Sequence, residues 1–253
     1  MRLNDQATTL GNLLHYDTIF KAGDKVLEAG CGVGAQTRIV AKMNPDTQFT
    51  AIDISGDSIM EAETLMKSLQ IDNVEFIQSD ILNLPFGNKT FDHILVCFVL
   101  EHLSNPNNAL RELKRVLKKD GKIMIIEGDH GSAYFNPDSI EAKLAIQSQI
   151  EIQKRKGGDA NIGRKLYPVI KQAGFKLVNV SPRIVYADES RPSMVEGFIK
   201  KTFTAMIEGV RGDVIREGII NESTFDKGVI DLYRTAREDG VFCYTFFKGF
   251  GTK

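Results

Sequence analysis

One segment near the amino end constrains this chain more than any other. Residues 26–35 read VLEAGCGVGA, an apolar run followed by a carboxylate and three alternating glycines. A strand that enters a tight glycine turn and then a helix is the arrangement in which an α/β fold cradles a nucleoside cofactor. Gly30, Gly32 and Ala35 also fit the dinucleotide fingerprint, and Asp53 follows at the spacing of a ribose ligand. The segment predicts a cofactor-binding α/β fold and leaves the cofactor open.

Strand-like and helix-like segments alternate after the glycine turn, which predicts a parallel sheet with helices on both faces. The predicted strands are Lys25–Glu28, Gln48–Asp53, Val74–Gln78, Phe91–Phe98, Lys122–Glu127, Phe175–Tyr186 and Val241–Phe250. The predicted helices are Thr8–Phe20, Gln36–Met43, a segment after Ser55, Ala109–Leu117, Pro137–Lys156 and Gly163–Ala173. Residues 188–240 are predicted as a mostly helical insertion, and a segment of that length between two strands is often a lid.

The composition excludes several classes of protein. The chain has 253 residues and a formal net charge of -1, which gives no general attraction to nucleic acid or to an anionic membrane. No segment approaches the roughly 18 apolar residues of a membrane span, and the first residues lack the apolar run of a signal peptide. Cys31, Cys97 and Cys243 are too widely spaced for a disulfide framework or a ligand cluster. We therefore expect no bound metal and a reducing, cytoplasmic location.

Three carboxylates decide between cofactors. Glu28 precedes the glycines, Asp53 ends the second predicted strand, and Asp80 follows the third. The carboxyl ends of parallel strands meet at one edge of a sheet, where the ligands of open α/β folds bind. A pyrophosphate would be repelled there, whereas S-adenosylmethionine carries a sulfonium and an ammonium and is attracted. The acids therefore favour S-adenosylmethionine over a dinucleotide.

At this point the chain resembles the class I S-adenosylmethionine-dependent methyltransferases. The segments that resemble their successive motifs are Val26–Thr37, Ala51–Ser55, Gln78–Phe86 and Phe91–Val96. Two further segments, Val99–Leu103 and Ala109–Gly121, are similar to the quinone- and sterol-type small-molecule branch. The resemblance covers about residues 25–127, and the order of its motifs makes it specific.

The resemblance implies a Rossmann-like methyltransferase fold. Its sheet has seven strands and is mostly parallel, the last strand is antiparallel, helices cover both faces, and a helical lid is inserted. It implies one methyltransferase domain over residues 1–253. The parts of that domain are an N-terminal lid helix (1–21), a cofactor-binding half (22–130), substrate-side helices with strand six (131–187), the lid insertion (188–240) and the last strand (241–253).

The resemblance also implies which residues hold the methionine part of the cofactor. Gly30, Gly32 and Gly34 would let the backbone approach it. The backbone at Cys97–Phe98 would meet its ammonium group. Glu28 would anchor the glycine loop from behind.

The adenosine part has its own implied contacts. Asp53 would accept hydrogen bonds from both ribose hydroxyls, and Ile54 would lie against the adenine. Asp80 would accept a hydrogen bond from the adenine amino group, and Ile81 would cover the other face of the adenine ring.

The chemistry of methyl transfer requires a nucleophile held behind the methyl carbon, and a hydroxyl or ammonium nucleophile also needs a base. His130, just past the fifth predicted strand, is the candidate base, and Asp129 beside it is a weaker one.

The expected acceptor is a small or medium organic molecule, methylated on oxygen, nitrogen or carbon to give S-adenosylhomocysteine. No nucleic acid or membrane partner is expected, and a homodimer is compatible with the sequence. Two alternatives stay open at this point. One is a nicotinamide-dependent oxidoreductase, and the other is a noncatalytic protein that binds the cofactor or a partner.

Overall fold

A computed structural model describes residues 2–253 and shows one seven-stranded sheet. The strands are β1 Lys25–Ala29, β2 Gln48–Asp53, β3 Val74–Gln78, β4 Phe91–Cys97, β5 Leu117–Asn136, β6 Lys176–Ala187 and β7 Val241–Thr252. Their order is β3-β2-β1-β4-β5-β7-β6, with β1 to β5 parallel and β7 antiparallel to both of its neighbours. The predicted Rossmann-like sheet with an antiparallel last strand is confirmed.

The helices lie on both faces of this sheet and above its carboxyl edge. The α-helices are α1 Arg2–His15, α2 Thr37–Met43, α3 Gly56–Ser68, α4 Pro106–Val116, α5 Ile140–Arg155, α6 Leu166–Gln172, α7 Pro192–Met194, α8 Ala205–Glu208, α9 Arg211–Arg216 and α10 Glu222–Arg234. Short 3-10 turns occupy Leu100–His102 and Ile162–Lys165, and a π-helix occupies Val195–Thr204. The predicted helical insertion is therefore confirmed, and it contains a π-helix, a conformation often found at functional sites.

Successive side chains along a strand point to opposite faces of the sheet, and this divides the apolar side chains between two cores. Leu95 and Cys97 of β4 pack into the core on one face of the sheet, and Ile94 and Val96 pack into the core on the other. Burial of each such aliphatic side chain contributes about 1.5–3 kcal/mol. The sheet edge that carries the glycine turn is thus held by a rigid, two-sided core.

The first helix differs from its prediction. It spans Arg2–His15, whereas the apolar spacing predicted Thr8–Phe20. The residues after His15 leave the helix because tertiary contacts hold them. The buried ammonium of Lys248 donates to Asp17 Oδ1 at 2.6 Å and to Thr18 Oγ1 at 2.8 Å. The backbone N–H of Phe20 donates to the Asn44 side chain.

The fifth strand is much longer than predicted. It continues from Leu117 to Asn136, because β7 pairs with it far beyond Glu127. The ladder is irregular between Asp129 and Tyr134. His130 therefore lies at an irregularity within a strand and not in a loop past its end.

The lid helices pack closely on the amino-terminal helix and on α5. A Cβ at Gly197 in the π-helix would lie 2.0 Å from Thr9 Oγ1 of α1. A Cβ at Gly228 in α10 would lie 2.3 Å from the carbonyl oxygen of Glu141. Among the described residues, no helix combines the length and the apolar character that crossing a membrane requires.

Candidate functional site

A cavity of about 760 Å³ opens at the carboxyl edge of the sheet. One part, here called the loop side, is formed by the glycine turn and the ends of β1, β2 and β4, with Glu28, Gly30, Gly32, Asp53, Asp80 and Phe98 in its wall. The other part, the aromatic side, is formed by β5, β7, α5 and the π-helix, with Glu101, His130, Gln149, Phe203, Tyr244 and Phe246 in its wall. Most of the residues predicted for cofactor binding thus meet in one cavity.

Two of the three glycines shape the cavity directly. Gly30 has φ +82°, and a Cβ there would lie 2.4 Å from Val99 Cγ2. Gly32 has φ +52° and nothing within 4 Å of its ideal Cβ position, so the backbone there is open to a ligand. Both conformations favour glycine over residues with a side chain.

Gly34 has a different role from the one expected. It does not line the cavity, and a Cβ at this position would lie 3.0 Å from the Cβ of Ala62 in α3. Its φ of +77° brings the turn against that helix. Gly34 therefore permits close packing of the turn on α3 and does not let the backbone approach a ligand.

Asp53 organises the glycine turn. Its Oδ2 accepts a hydrogen bond from the N–H of Gly32 at 2.8 Å, and its Oδ1 accepts one from the N–H of Ser55 at 3.0 Å. Each carboxylate oxygen can accept a second hydrogen bond. Asp53 lines the cavity, so it can anchor the turn and still receive hydroxyl donors from a ligand.

Asp80 begins the turn after β3, where its Oδ1 accepts from the N–H of Leu82 at 2.8 Å. Asp80 and Ile81 line the cavity opposite Ile54, whose side chain is 70% exposed. An exposed isoleucine at the mouth of a cavity offers an apolar surface for a planar ring to cover.

Glu28 is the most unusual group on the loop side. Its side chain is buried, and burial raises the pKa of its carboxyl to about 7. In the described part of the chain, Oε2 has no hydrogen-bond partner. A buried carboxylate oxygen without a partner is costly unless a ligand supplies a donor or a positive charge.

Cys97 ends β4 near Glu28, and Phe98 follows it. Burial raises the pKa of the Cys97 thiol, which is therefore neutral and unreactive. Phe98 has φ +59°, a left-handed conformation that costs free energy in a residue with a side chain, and its N–H donates to the carbonyl of Ile126 at 2.9 Å. Backbone strain of this kind is concentrated at functional sites.

His130 is buried on the aromatic side and belongs to a chain of side-chain hydrogen bonds. Its Nδ1 lies 2.8 Å from Oε1 of Gln149. Gln149 Nε2 donates to Gln153 Oε1 at 2.9 Å, and Gln153 Nε2 donates to the carbonyl oxygen of Glu101 at 3.0 Å. His130 Nε2 makes no hydrogen bond to the described residues, and its ring faces the cavity.

Asp129, the second predicted catalytic residue, does not line the cavity. Its carboxylate is 2% exposed and accepts two hydrogen bonds from Arg164, at 2.8 Å from Nε and at 2.6 Å from Nη2. Arg164 holds this carboxylate outside the cavity wall, whereas the ring of His130 lines the cavity. Asp129 is thus the ion-pair partner of Arg164 in this structure, and its role as a base stays a prediction.

Several residues on the aromatic side escaped the sequence-based predictions. Gln149 and Gln153 come from α5, and Tyr244 comes from β7. Sequence spacing carries no signal that brings these distant elements together. Glu101 had one signal, because it lies in the short turn just past β4, at the same edge where Asp53 ends β2 and Asp80 lies just past β3.

The chain is similar in sequence to known methyltransferases. A family model described as "Methyltransferase domain" matches residues 20–174, more than half of the chain. A protein of Schizosaccharomyces pombe described as an uncharacterized methyltransferase is 28% identical over 239 residues, which are 90% of this chain and 84% of that protein. The demethylmenaquinone methyltransferase of Thermotoga maritima is 36% identical over 104 residues, which are 41% of this chain and 43% of that enzyme.

The fold has known counterparts as well. A solved structure of a phosphoethanolamine N-methyltransferase of Haemonchus contortus, in complex with phosphomonomethylethanolamine and S-adenosylhomocysteine, matches 97% of this chain and 52% of that chain. The TM-score is 0.60 and the sequence identity is 17%. A likeness at this identity concerns the fold alone.

Proposed function

We infer the activity from one premise: this chain belongs to the methyltransferase domain family, in the small-molecule branch of the class I S-adenosylmethionine-dependent methyltransferases. We propose that it binds S-adenosylmethionine on the loop side of the cavity. We further propose that it transfers the methyl group to a small or medium organic acceptor on the aromatic side, at an oxygen, nitrogen or carbon atom.

The charge of the cavity is the single observation that carries this proposal. Glu28, Asp53, Asp80 and Glu101 line it, and no lysine or arginine side chain from the described part of the chain does so. The unpartnered Oε2 of Glu28 adds a buried acceptor that a cationic ligand can satisfy. A dinucleotide would place an anionic pyrophosphate among these carboxylates without a counter-ion, so the residues fit S-adenosylmethionine and oppose a nicotinamide cofactor.

The contacts to S-adenosylmethionine are proposed from this geometry. Asp53 accepts hydrogen bonds from the ribose hydroxyls, and Asp80 accepts one from the adenine amino group. Ile54 and Ile81 cover the two faces of the adenine ring. When bound, the cofactor supplies an electrophilic methyl group on a positively charged sulfur.

The backbone near Gly30, Gly32 and Cys97–Phe98 would hold the amino acid end of the cofactor. Glu28 lies in the cavity wall near this part of the turn, and its Oε2 has no hydrogen-bond partner among the described residues. Its carboxylate would balance part of the positive charge of the cofactor. The strained backbone at Phe98 fits this role, because it fixes the position of the peptide before the ligand arrives.

His130 is proposed as the base that removes a proton from the acceptor. A side-chain amide can both donate and accept, but a backbone carbonyl only accepts. The carbonyl of Glu101 therefore orients Gln153, Gln153 orients Gln149, and Gln149 presents its oxygen to His130. Nδ1 of His130 must then carry the proton, and the lone pair of Nε2 is available in the cavity.

The proposal is tested with S-adenosylhomocysteine formation during a screen of small organic acceptors. The wild-type protein should release this product with at least one acceptor. His130→Ala should reduce turnover by about 10²–10⁴-fold and leave cofactor binding unchanged, because a positioned base contributes that much. His93→Ala is the matched control, because His93 pairs with Asp24 outside the cavity. Unchanged turnover in His130→Ala would remove His130 from the mechanism.

We also propose that the protein acts in the reducing cytoplasm. Its three cysteines are buried and free, which suits a compartment that keeps thiols reduced. Fractionation of cells that produce the protein, followed by detection of the intact chain, tests this location.

A further inference from the structure

The aromatic side of the cavity contains one carboxylate that the proposed cofactor does not need. The side chain of Glu101 is only 12% exposed. Its Oε2 lies 3.9 Å from Nε2 of His130, and its Oε1 lies 3.3 Å from Nε2 of His102. Glu28, Asp53 and Asp80 belong to the loop side, so Glu101 is the acid that faces the place where an acceptor must bind.

We propose that the methyl acceptor is an organic amine, that it enters as an ammonium ion, and that Glu101 is its counter-ion. This inference rests on the proposed function and adds the chemical class of the acceptor. A largely buried carboxylate without a paired lysine or arginine attracts a cation strongly, since both charges are then shielded from water.

The walls around Glu101 suit the organic body of such an amine. Phe203 and Tyr244 have ring centroids 5.4 Å apart, and Tyr244 and Phe246 have centroids 4.7 Å apart. The ring centroids of Tyr244 and Phe203 lie 6.1 and 6.4 Å from that of His130. Aromatic faces bind apolar groups and also attract cations, so they complement an ammonium on an apolar body.

The proton balance of the reaction follows from His130. The Nε2 lone pair accepts one proton from the ammonium, which leaves a neutral amine. The nitrogen lone pair then forms a bond to the methyl carbon while the carbon–sulfur pair returns to sulfur. The products are the methylated ammonium ion, S-adenosylhomocysteine and a protonated His130, which releases its proton to solvent.

Other nucleophiles fit the site less well. A phenol or an enol must become anionic to attack, and that charge would develop beside the carboxylate of Glu101. The two negative charges would repel each other, and the described residues lining the cavity offer no lysine or arginine to offset the repulsion. An acceptor that carries a carboxylate or a phosphate would face the same repulsion on entry.

The test uses three probes of similar shape on the full chain saturated with S-adenosylhomocysteine. The probes are 2-phenylethylammonium, 2-phenylethanol and 3-phenylpropionate, and their affinities are measured by titration calorimetry. We expect the ammonium to bind at least about tenfold more tightly than the alcohol, and the carboxylate to bind least. Glu101→Gln keeps the shape of the side chain and should remove the preference for the ammonium, whereas Glu151→Gln should not. Glu151 lies on α5 with Gln149 but pairs with Arg155 at the surface.

The outcomes separate this inference from the proposed function. An ammonium that binds no better than the alcohol, including the case in which neither binds, overturns the amine assignment. An ammonium preference that survives in Glu101→Gln assigns the counter-ion elsewhere and overturns the role of Glu101. If the wild-type protein does not take up S-adenosylhomocysteine at all, the proposed function fails first. The wild-type probe series gives its answer even if Glu101→Gln folds poorly.

Discussion

Nδ1 of His130 lies 2.8 Å from Oε1 of Gln149, at the start of a hydrogen-bond chain that ends on the backbone carbonyl of Glu101. Because the last acceptor cannot donate, every bond in the chain has one direction. The imidazole is therefore held in a single tautomer with Nε2 free. Gln149 acts through His130 and is a positioning residue.

Removing the amide of Gln149 should change the tautomer of His130 as well as the rate. In Gln149→Leu, Nδ1 loses its acceptor, so we expect a mixture of tautomers and a fall in kcat of about tenfold or more. In Gln149→Glu, a carboxylate accepts from Nδ1–H, which should keep the tautomer. Nitrogen NMR of the imidazole and the pH profile of kcat measure both effects. A Gln149→Leu protein with the wild-type tautomer and pH profile would show that Gln149 only fills space.

The loss of charge at Asp53 should weaken cofactor binding. Asp53→Asn keeps the size of the side chain but replaces a carboxylate oxygen by an amide. Hydrogen bonds to a charged group contribute about 1.5–3 kcal/mol, so S-adenosylhomocysteine should bind about 10–100-fold more weakly. Asp57→Asn, in the first turn of α3 and exposed, serves as the control. Equal affinity of Asp53→Asn and wild-type protein would place the ribose elsewhere.

Cofactor affinity should rise with pH through neutrality because of Glu28. Burial raises the pKa of this carboxyl to about 7, so the ligand-free protein gains the negative charge only as the pH passes that value. A cationic ligand prefers the ionised form and should bind more tightly at about pH 8 than at about pH 6. Titration calorimetry at both pH values, on wild-type protein and on Glu28→Gln, measures the effect. The same pH dependence in Glu28→Gln would assign it to another group.

His15 should make the fold less stable in mild acid. Its Nε2 lies 2.9 Å from Oε1 of Gln36, a residue in the cavity wall, and burial lowers its pKa from 6.5 to about 4. Between these pH values the unfolded chain binds a proton that the folded chain does not, so the free energy of unfolding falls as the pH falls. The full loss is about 3 kcal/mol at about 1.4 kcal/mol for each pKa unit. Urea unfolding across this pH range measures how steeply the free energy of unfolding depends on pH. This dependence should be weaker in His15→Gln than in the wild-type protein.

The loop side could be predicted from the sequence, and the aromatic side could not. The positions of Glu28, Asp53 and Asp80 follow from local rules, because each acid lies at or near the carboxyl end of a parallel strand and those ends share one edge. Gln149 and Tyr244 reach the cavity only through the packing of α5 and through the long pairing of β5 with β7. No local pattern encodes such contacts.

Two errors have the same origin. Asp129 was expected beside His130 in a loop, but β5 continues through both residues, and Arg164 pairs with Asp129 there. The first helix was expected to reach Phe20. It ends at His15, because hydrogen bonds from the ammonium of Lys248 hold Asp17 and Thr18 outside the helix. In both places a contact with a residue far along the chain overrides the local preference.

The most direct test of the central claim is a competition between the two cofactor classes for the wild-type protein. Titration calorimetry with S-adenosylmethionine and with NADH should give one binding site per chain for the first and no heat of binding for the second. Saturation with S-adenosylhomocysteine should abolish the S-adenosylmethionine signal. A single site for NADH that S-adenosylhomocysteine does not compete for, with no heat from S-adenosylmethionine, would contradict the account.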